Sequence, residues 1–369
     1  MSSVIRPALR ALVPYEPGKP VEEVQRELGL ERVVKLASNE GPFGPFPAAL
    51  EAMERSLLDL NRYPDSGGYA LREALAARHG VASEQVALGS GGDGVIDCLA
   101  QATLDPGDEI VCGWPSFVSY VLTAAKLGGV ARQVPLRGHR YDLDALLDAI
   151  GPRTKLAYLC LPNNPTGTTN TRAELDGWFE RVPEHVLTVV DQAYFEYIDE
   201  PDYPDAIEEY VKAGRQAIVI RTFSKIYGLA GLRIGYGVGP AELVSALGKV
   251  SRAFDFNSQA QAAAFASLGD EEELGRRRRV NAEGRHMLRG ILESHGWPTA
   301  QPAVANFLFA EVGDDARPVF EALLRQGVIV RPCGAFGAPG AIRVTVGTPD
   351  EHEFLAGALA RIGAVPAPA

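Results

Sequence analysis

The sequence predicts an α/β protein with a mostly parallel central sheet flanked by helices, together with a smaller α+β domain. First, the middle of the chain alternates short apolar runs with helical patterns such as residues 94–104 and 143–150. Second, these runs are apolar at nearly every position, which is typical of strands buried on both faces of a parallel sheet. Third, a loop rich in Gly, Pro, Asn or Asp follows each run, which favours alternating strands and helices. The five runs are residues 86–88, 109–112, 156–161, 186–190 and 217–220.

The last hundred residues are predicted to form the smaller α+β domain. Apolar runs at residues 307–309, 328–330 and 342–346 alternate there with helical patterns. An acidic run at 271–273 precedes four arginines at 276–279. The four-residue spacing predicts ion pairs on an exposed helix face. The acidic residues also disfavour the alternative, an RNA-binding patch, because they neutralise the arginines locally.

Length and composition limit the class of protein. The chain has 369 residues, 46% hydrophobic and 22% charged, which predicts a globular protein of two domains or of one domain with a smaller lobe. The net charge of −11 disfavours nucleic-acid binding through a broad basic face. No apolar stretch reaches the roughly 18 residues of a membrane span, and the N-terminus lacks a signal-peptide pattern. The four cysteines form no CxxC pair, so we expect reduced thiols, no metal site and a cytoplasmic location.

The loop after the first predicted strand, residues 89–94 (GSGGDG), indicates a phosphate site. It opens a helix, and the free backbone N–H groups and dipole of a helix start favour a phosphate. The loop also matches the GxGxxG pattern of dinucleotide-binding proteins, but the acid expected at the end of the next strand is missing. A tight turn with Asp93 as N-cap is the alternative without a ligand. The loop therefore indicates phosphate more firmly than a nicotinamide dinucleotide.

Three further loops carry side chains suited to a polar ring. Residues 162–167 (PNNPTG) place two amides between prolines that fix the backbone. Asp191 directly follows five uncharged residues, so its carboxylate needs a cation or strong donors, a helix cap being the alternative. Tyr194 lies about one helical turn further on. The aromatic residues of loop 114–117 are either core or a surface on which a ring stacks.

The loop after the fifth strand supplies an amine and further anion-binding groups. The hydroxyls of Thr222 and Ser224, together with Arg233, suit a phosphate dianion. Lys225 lies near such cations, which lower an amine pKa and favour attack on a carbonyl. A surface lysine is the alternative, which the surrounding apolar and small residues disfavour. The loops together require a ligand with a phosphate, a stackable ring, a cationic ring nitrogen and an aldehyde. Pyridoxal 5′-phosphate (PLP) meets these four requirements.

Seven segments of the chain carry a resemblance to a known family. They are residues 38–44, 62–64, 162–167, 190–194, 221–225, 229–233 and 342–348. Over residues 36–348 the chain resembles the fold-type I PLP-dependent aminotransferases and, within them, the histidinol-phosphate aminotransferase family. It departs from the family pattern at Gly41 where Asn is usual, at Gln192 where Glu is usual, and at Gly94 where an acid is common.

The resemblance implies a role for each matching position. Lys225 would form a Schiff base with PLP and move a proton between the substrate Cα and the cofactor C4′. Asp191 would keep the ring nitrogen protonated, and Asn164 and Tyr194 would hydrogen-bond the ring oxygen. Phe117 would stack on the ring. The residues implied to hold the cofactor phosphate are Gly91, Gly92, Asp93, Thr222, Ser224, Arg233 and, from the neighbouring subunit of a homodimer, Tyr63.

The resemblance also implies how substrates bind. Arg343 would pair with a substrate carboxylate, and Tyr15 and Arg331 would meet the distal phosphate of histidinol phosphate. Asn39 and Asn164 are implied to contact the substrate as well. The implied enzyme transfers the amino group of histidinol phosphate to 2-oxoglutarate by ping-pong kinetics, giving imidazole-acetol phosphate and glutamate.

Other functions remain open at this point. An aromatic aminotransferase acting on phenylalanine or tyrosine is the nearest alternative, followed by a PLP-dependent decarboxylase or lyase. A PLP-domain regulator usually carries an added DNA-binding domain, and a nicotinamide dehydrogenase leaves Lys225 and Asp191 unexplained. We expect residues 1–45 to form an N-terminal arm and part of the small domain, 46–268 the large PLP-binding domain and 269–369 the C-terminal small domain.

Overall fold

The computed structural model of the chain describes residues 4–10, 12 and 18–363. Its strands are β1 (Val34–Lys35), β2 (Val86–Gly89), β3 (Glu109–Trp114), β4 (Val130–Pro135), β5 (Thr154–Cys160), β6 (Leu187–Asp191), β7 (Ala217–Thr222), β8 (Gly235–Val238), β9 (Phe307–Glu311), β10 (Val328–Ile329), β11 (Arg331–Pro332) and β12 (Ala341–Thr345). Its α-helices are α1 (Pro7–Arg10), α2 (Val21–Leu28), α3 (Pro47–Ser56), α4 (Tyr69–His79), α5 (Gly91–Thr103), α6 (Val118–Leu127), α7 (Leu143–Asp148), α8 (Arg172–Arg181), α9 (Ala241–Val250), α10 (Ser258–Ser267), α11 (Glu271–Ser294), α12 (Arg317–Arg325) and α13 (Pro349–Ile362). Shorter helical turns lie at Leu57–Asp59, Ser83–Gln85, Phe195–Tyr197, Ile207–Val211, Ala230–Leu232 and Gly334–Phe336.

The largest sheet has seven strands in the order β2-β8-β7-β6-β5-β3-β4. The pairs from β4 to β7 are parallel, whereas β8 pairs antiparallel with both β7 and β2. The prediction of a mostly parallel sheet is therefore confirmed. Two of these strands were not predicted, for physical reasons. The edge strand β4 is mostly exposed and lacks an apolar run, and β8 (GYGV) is short and half glycine.

Helix α5 begins at Gly91, earlier than the predicted start at residue 94. Asp93 therefore lies inside the first turn, and the alternative in which it caps the helix is wrong. Ser90 occupies the N-cap position without a side-chain hydrogen bond. The early start was hidden because glycine has a low helix propensity. Helix α7, in contrast, begins at the predicted residue, where Asp142 Oδ1 accepts a hydrogen bond from Ala145 N at 3.2 Å.

A second lobe is built from the smaller sheets. Strands β11, β12 and β9 form an antiparallel sheet, and β1 pairs in parallel with β10. This lobe has its own apolar core, which contains Leu288, Leu308, Leu323 and Leu355. The main core, in contrast, lies around the large sheet. The predicted α/β fold with a smaller α+β lobe is thus confirmed, while the exact domain boundaries stay a prediction.

Helix α11 corrects the prediction of a wholly exposed ion-pair face. Glu273 pairs with Arg276 and Arg277, at 2.6 and 2.7 Å respectively. The Arg276 guanidinium, with Arg277, lowers the pKa of Glu273 to about 2. Arg277 itself is buried, and its Nη1 donates to the Ile226 carbonyl at 3.0 Å. This part of the arginine run therefore joins α11 to the segment after β7 instead of forming a basic surface.

Some features are absent from the described part of the chain. In residues 4–10, 12 and 18–363 no helix combines the length and apolar character needed to cross a membrane. The same residues contain no group of three or more His, Cys, Asp or Glu side chains arranged to hold a metal ion. Cys98, Cys112, Cys160 and Cys333 are free thiols.

Candidate active site

A cavity of about 320 Å³ lies at the carboxyl ends of β5, β6 and β7. These strands are parallel neighbours, so the loops that follow them meet at one edge of the sheet. The start of α5 and the strands β11 and β12 complete the wall. The predicted site residues that line the cavity are Asn39, Gly92, Asp93, Phe117, Asn164, Asp191, Tyr194, Thr222, Ser224, Lys225, Arg233, Arg331 and Arg343.

Hydroxyl and guanidinium donors gather beside the start of α5. Arg233 Nη1 donates to Ser224 Oγ at 3.4 Å, and Thr222 Oγ1 donates to the same oxygen at 3.0 Å. Gly91 does not line the cavity, but its φ is +75° and a Cβ there would lie 2.5 Å from Arg233 Nη2. The guanidinium can therefore lie against the helix start only because this residue is glycine. Together with the free N–H groups of α5, these donors form an anion-binding corner.

Asp191, the last residue of β6, is buried and lines the same cavity. Burial raises the pKa of this carboxyl to about 6, although a hydrogen bond from Tyr120 opposes the shift. The Tyr120 hydroxyl donates to Asp191 Oδ2 at 2.6 Å, and the backbone N–H of Ala193 donates to Oδ1 at 3.0 Å. A buried carboxylate held in this way can bind a cationic N–H group in the cavity.

Lys225 brings its amine into the same cavity. Burial, assisted by the positive charge of Arg343, lowers the pKa of the Lys225 ammonium to about 8. The neutral, nucleophilic amine is therefore far more abundant near neutral pH than for an exposed lysine. Its Nζ lies 5.5 Å from the centre of the Tyr194 ring.

Two hydrogen bonds orient side chains whose remaining donors can bind an oxygen atom of a ligand. Arg343 Nη1 donates to Asn164 Oδ1 at 2.5 Å, which leaves the Asn164 amide N–H groups to point elsewhere. Asn39 Nδ2 donates to the Tyr194 hydroxyl at 2.8 Å, so that hydroxyl can donate its own proton to a further acceptor. Asn39 is itself held in place, since its backbone N–H donates to Thr345 Oγ1 at 3.0 Å.

Two arginines of the small lobe lie side by side at the cavity. Arg331 and Arg343 are register partners across the antiparallel pair β11–β12, and both are buried. Arg343 Nη2 donates to the Ala37 carbonyl at 2.6 Å. Arg331 also lines a neighbouring cavity of about 510 Å³. Like charges directly opposite each other are unfavourable, so this arrangement indicates anionic ligands.

The predicted phosphate ligand Tyr63 is not brought into the cavity of its own chain. The Tyr63 side chain is 81% exposed and stacks on Phe254 with ring centres 4.5 Å apart. Tyr15 lies outside the described residues. At one departure from the family pattern, buried Gln192 donates from Nε2 to the Tyr203 hydroxyl at 2.9 Å and does not line the cavity.

Several residues of the site were not predicted from the sequence. Ser38, Glu40 and Phe336 line the cavity, and Tyr120 holds Asp191 from the side. The sequence carries no signal for Tyr120, because a tyrosine in the first turn of α6 is typical of an ordinary core residue. Conversely, only one amide of the PNNPTG loop faces the cavity. Asn163 donates from Nδ2 to the Pro115 carbonyl at 3.1 Å and has a structural role.

The fold and this cavity define a member of the aminotransferases. The chain belongs to the aminotransferase class I and II family, whose model matches residues 31–359. More particularly, it is 47% identical to a histidinol-phosphate aminotransferase of Moorella thermoacetica, over 97% of this chain and 92% of the relative. It is 44% identical to histidinol-phosphate aminotransferase 2 of Carboxydothermus hydrogenoformans, over 95% of this chain and 96% of the relative.

A solved structure agrees with these sequence matches. Histidinol-phosphate aminotransferase of Sinorhizobium meliloti, solved in complex with PLP, superposes with a TM-score of 0.89 at 29% identity. The match covers 98% of this chain and 97% of that chain. The predictions of the fold and of an aminotransferase are thereby confirmed.

Proposed function

We propose that this aminotransferase uses PLP and transfers the amino group of histidinol phosphate to 2-oxoglutarate. The observation that carries the proposal is the pair of buried arginines, Arg331 and Arg343, on adjacent strands at a cavity that also holds the amine of Lys225. This pair suits two different anions, a phosphate and a carboxylate. The names of the relatives support histidinol phosphate as one of the two substrates.

The residues present fit PLP as the cofactor. The anion-binding corner made by the start of α5, Ser224 and Arg233 suits the cofactor phosphate. The buried carboxylate of Asp191 suits a protonated ring nitrogen, and the Lys225 amine suits the aldehyde. When bound, PLP supplies a carbonyl that carries the amino group and a ring that accepts the electron pair left when the substrate Cα loses its proton.

The side chains that line the cavity would each act on a different atom of the bound cofactor or substrate. Asp191 holds a proton on the ring nitrogen through its negative charge. Asn164 Nδ2 and the Tyr194 hydroxyl would donate to the ring oxygen, since Arg343 donates to Asn164 Oδ1 and Asn39 donates to the Tyr194 oxygen. Lys225 Nζ removes the proton from the substrate Cα and returns it at C4′. Its lowered pKa suits this exchange near neutral pH.

The two arginines divide the substrates between them. Arg343 binds the carboxylate of 2-oxoglutarate or glutamate, because a guanidinium pairs with a carboxylate through two parallel hydrogen bonds. Arg331, which also lines the neighbouring cavity, binds the distal phosphate of histidinol phosphate. Histidinol phosphate carries no carboxylate, so the two half-reactions rely on different arginines.

Exposed apolar side chains support a homodimer. Leu58 and Tyr69 are 86% and 70% exposed, and Tyr63 and Phe254, which stack on each other, are exposed as well. Soluble monomers rarely expose apolar side chains in a contiguous patch. A second copy that covers this patch would bring Tyr63 toward the partner's cofactor phosphate, which explains why this predicted phosphate ligand lies outside its own cavity. The cytoplasmic location stays a prediction.

Gly91→Ala is expected to weaken PLP binding about tenfold, because the new Cβ displaces Arg233 from the anion-binding corner. Gly214→Ala is the matched control. Gly214 has a φ of +73°, close to the +75° of Gly91, but no atom lies within 4 Å of its Cβ position. Titration of the two apoenzymes with PLP separates the collision from the backbone strain. Equal PLP affinities of the two variants would contradict a role for Arg233 in holding the phosphate.

The substrate is tested by single-turnover titration of the PLP-bound enzyme. Histidinol phosphate, phenylalanine and tyrosine are added separately, and the loss of the visible cofactor absorbance is followed. We expect histidinol phosphate to convert the cofactor at concentrations at least about 100-fold lower, because a site built for a phosphate rejects analogues that lack it. Preferential conversion by phenylalanine or tyrosine would assign the enzyme to the aromatic aminotransferases. An enzyme without cofactor absorbance would contradict the use of PLP.

A further inference from the structure

We propose that Tyr120 is a positioning residue that fixes the Asp191 carboxylate and thereby sets the protonation of the cofactor ring. The inference rests on the proposed use of PLP, and it concerns a residue that the sequence did not single out. Tyr120 lies in the first turn of α6 and is fully buried. It does not line the cavity, so it acts through Asp191.

The geometry holds both oxygens of the carboxylate. Tyr120 donates to Oδ2 at 2.6 Å, and the backbone N–H of Ala193 donates to Oδ1 at 3.0 Å. Each carboxylate oxygen can accept a second hydrogen bond, so capacity remains for a ring N–H. The turn after β6 places the backbone N–H of Ala193. The Tyr120 hydroxyl is the only side-chain donor to this carboxylate among the described residues.

The Tyr120 ring is locked by its neighbours. It stacks on Tyr158 with ring centres 4.2 Å apart, and Phe117 meets it edge-on at 5.6 Å. Phe117 and Tyr120 lie three residues apart at the start of α6, so the same helix turn carries the predicted stacking residue and the donor to Asp191. A shift of this turn would move both contacts together. The first turn of α6 would therefore couple the plane of the cofactor ring to the position of the Asp191 carboxylate.

The charges around Asp191 explain why the Tyr120 hydroxyl is important as a donor to its carboxylate. Several titratable groups face Asp191: Asp93 from α5 disfavours its charge, whereas Lys225 after β7 favours it. Cys160 from β5 stays a neutral thiol, because burial and then the Asp191 charge raise its pKa. Tyr158 and Tyr194 are uncharged neighbours whose own pKa values are raised by burial. Burial raises the pKa of Asp191 to about 6, and the Tyr120 hydrogen bond is the largest influence that lowers it. Burial also keeps Tyr120 protonated by raising its pKa well above the ordinary value, so the donor persists at all working pH values.

Removal of the Tyr120 hydroxyl in Tyr120→Phe is therefore expected to raise the pKa of Asp191. A larger fraction of the carboxyl is then neutral in the weakly acidic range. A neutral Asp191 cannot stabilise a protonated ring nitrogen by charge. The ring of the substituted residue keeps its stacking on Tyr158, so packing changes little.

The test compares Tyr120→Phe with Tyr158→Phe. Tyr158 is an equally buried, adjacent tyrosine whose hydroxyl has no hydrogen-bond partner in the described structure, so its removal leaves Asp191 unchanged. The apoenzymes are titrated with PLP between about pH 5.5 and 9. We expect Tyr120→Phe to bind PLP about tenfold more weakly near pH 7 and to lose affinity at a higher pH on the acid side. Tyr158→Phe is expected to follow the wild-type profile.

Two further measurements separate positioning from general damage. With PLP labelled by ¹⁵N in the ring, Tyr120→Phe is expected to shift the ring-nitrogen resonance toward the unprotonated form, and Tyr158→Phe is not. In an Asp191→Asn background, Tyr120→Phe is expected to cause no further loss of PLP affinity, since its effect passes through the carboxylate. If Tyr120→Phe and Tyr158→Phe show the same pH profile and the same resonance, the inference is wrong. Failure of the wild-type enzyme to bind PLP would instead overturn the proposed function.

Discussion

Lys225→Ala is expected to lower kcat by roughly 10³-fold or more and to remove the visible absorbance of the bound cofactor. Lys225 is a half-buried lysine of the cavity, and no other lysine lines the cavity among the described residues. Its loss therefore removes both the amine that captures the aldehyde and the base that moves the substrate proton. Steady-state transamination and the absorbance spectrum of the purified variant measure the two effects.

A second lysine serves as the control for Lys225. Lys212 lies on the surface, where its Nζ pairs with Glu208 at 2.8 Å. Lys212→Ala is expected to keep both the absorbance and the activity, because exposed pairs of this kind contribute little. Circular dichroism checks that Lys225→Ala is folded. A folded Lys225→Ala enzyme with an unchanged spectrum would show that the cofactor is held by a different residue.

Arg343→Ala and Arg331→Ala are expected to damage opposite half-reactions. Loss of Arg343 removes a charge-assisted pair with the carboxylate, so kcat/KM for 2-oxoglutarate falls about 100-fold. Loss of Arg331 removes the phosphate partner, and kcat/KM for histidinol phosphate falls by a similar factor. The two half-reactions are measured separately in single turnovers that start from the PLP-bound or the pyridoxamine-bound enzyme.

Each arginine variant is the control for the other. Arg343 also holds Asn164 and the Ala37 carbonyl, so Arg343→Ala is expected to cause a smaller loss, about tenfold, in the histidinol phosphate half-reaction. For each variant, the ratio of the loss in the 2-oxoglutarate half-reaction to the loss in the histidinol phosphate half-reaction therefore decides between the two roles. If each variant lowers both half-reactions by the same factor, the arginines do not divide the substrates as proposed.

Much of the cavity was predictable because its residues follow directly after parallel strands. Asp191 and Lys225 belong to neighbouring strand ends, and Asn164 lies in the loop after β5. The rule that ligands bind beyond the carboxyl ends of such strands places these side chains together without any knowledge of the structure. The glycine loop was predictable for the same reason, although the start of α5 was not.

Other contacts depend on register and packing, which one sequence does not reveal. Arg331 and Arg343 become neighbours only through the pairing of β11 with β12. Tyr120 reaches Asp191 from a helix, where it reads as an ordinary core tyrosine. Arg277 belongs to a run of arginines that suggests a solvated surface, yet it is buried and donates to the segment after β7. Local patterns thus predict which loops matter, and the tertiary contacts decide which side chains complete the site.

The pairing of β1 with β10 has a consequence for the order in which the enzyme is made. Val34 pairs with Val328, and Asn39 is held by Thr345, so an early segment finds its partners only when the last strands exist. On a ribosome, the strands of the large sheet are complete once Val238 has emerged. Synthesis of the remaining strands takes on the order of ten seconds at ordinary elongation rates. A nascent chain can therefore complete its large sheet well before the strands that carry Arg331 and Arg343 exist, so the part of the cavity proposed to bind substrates is made last.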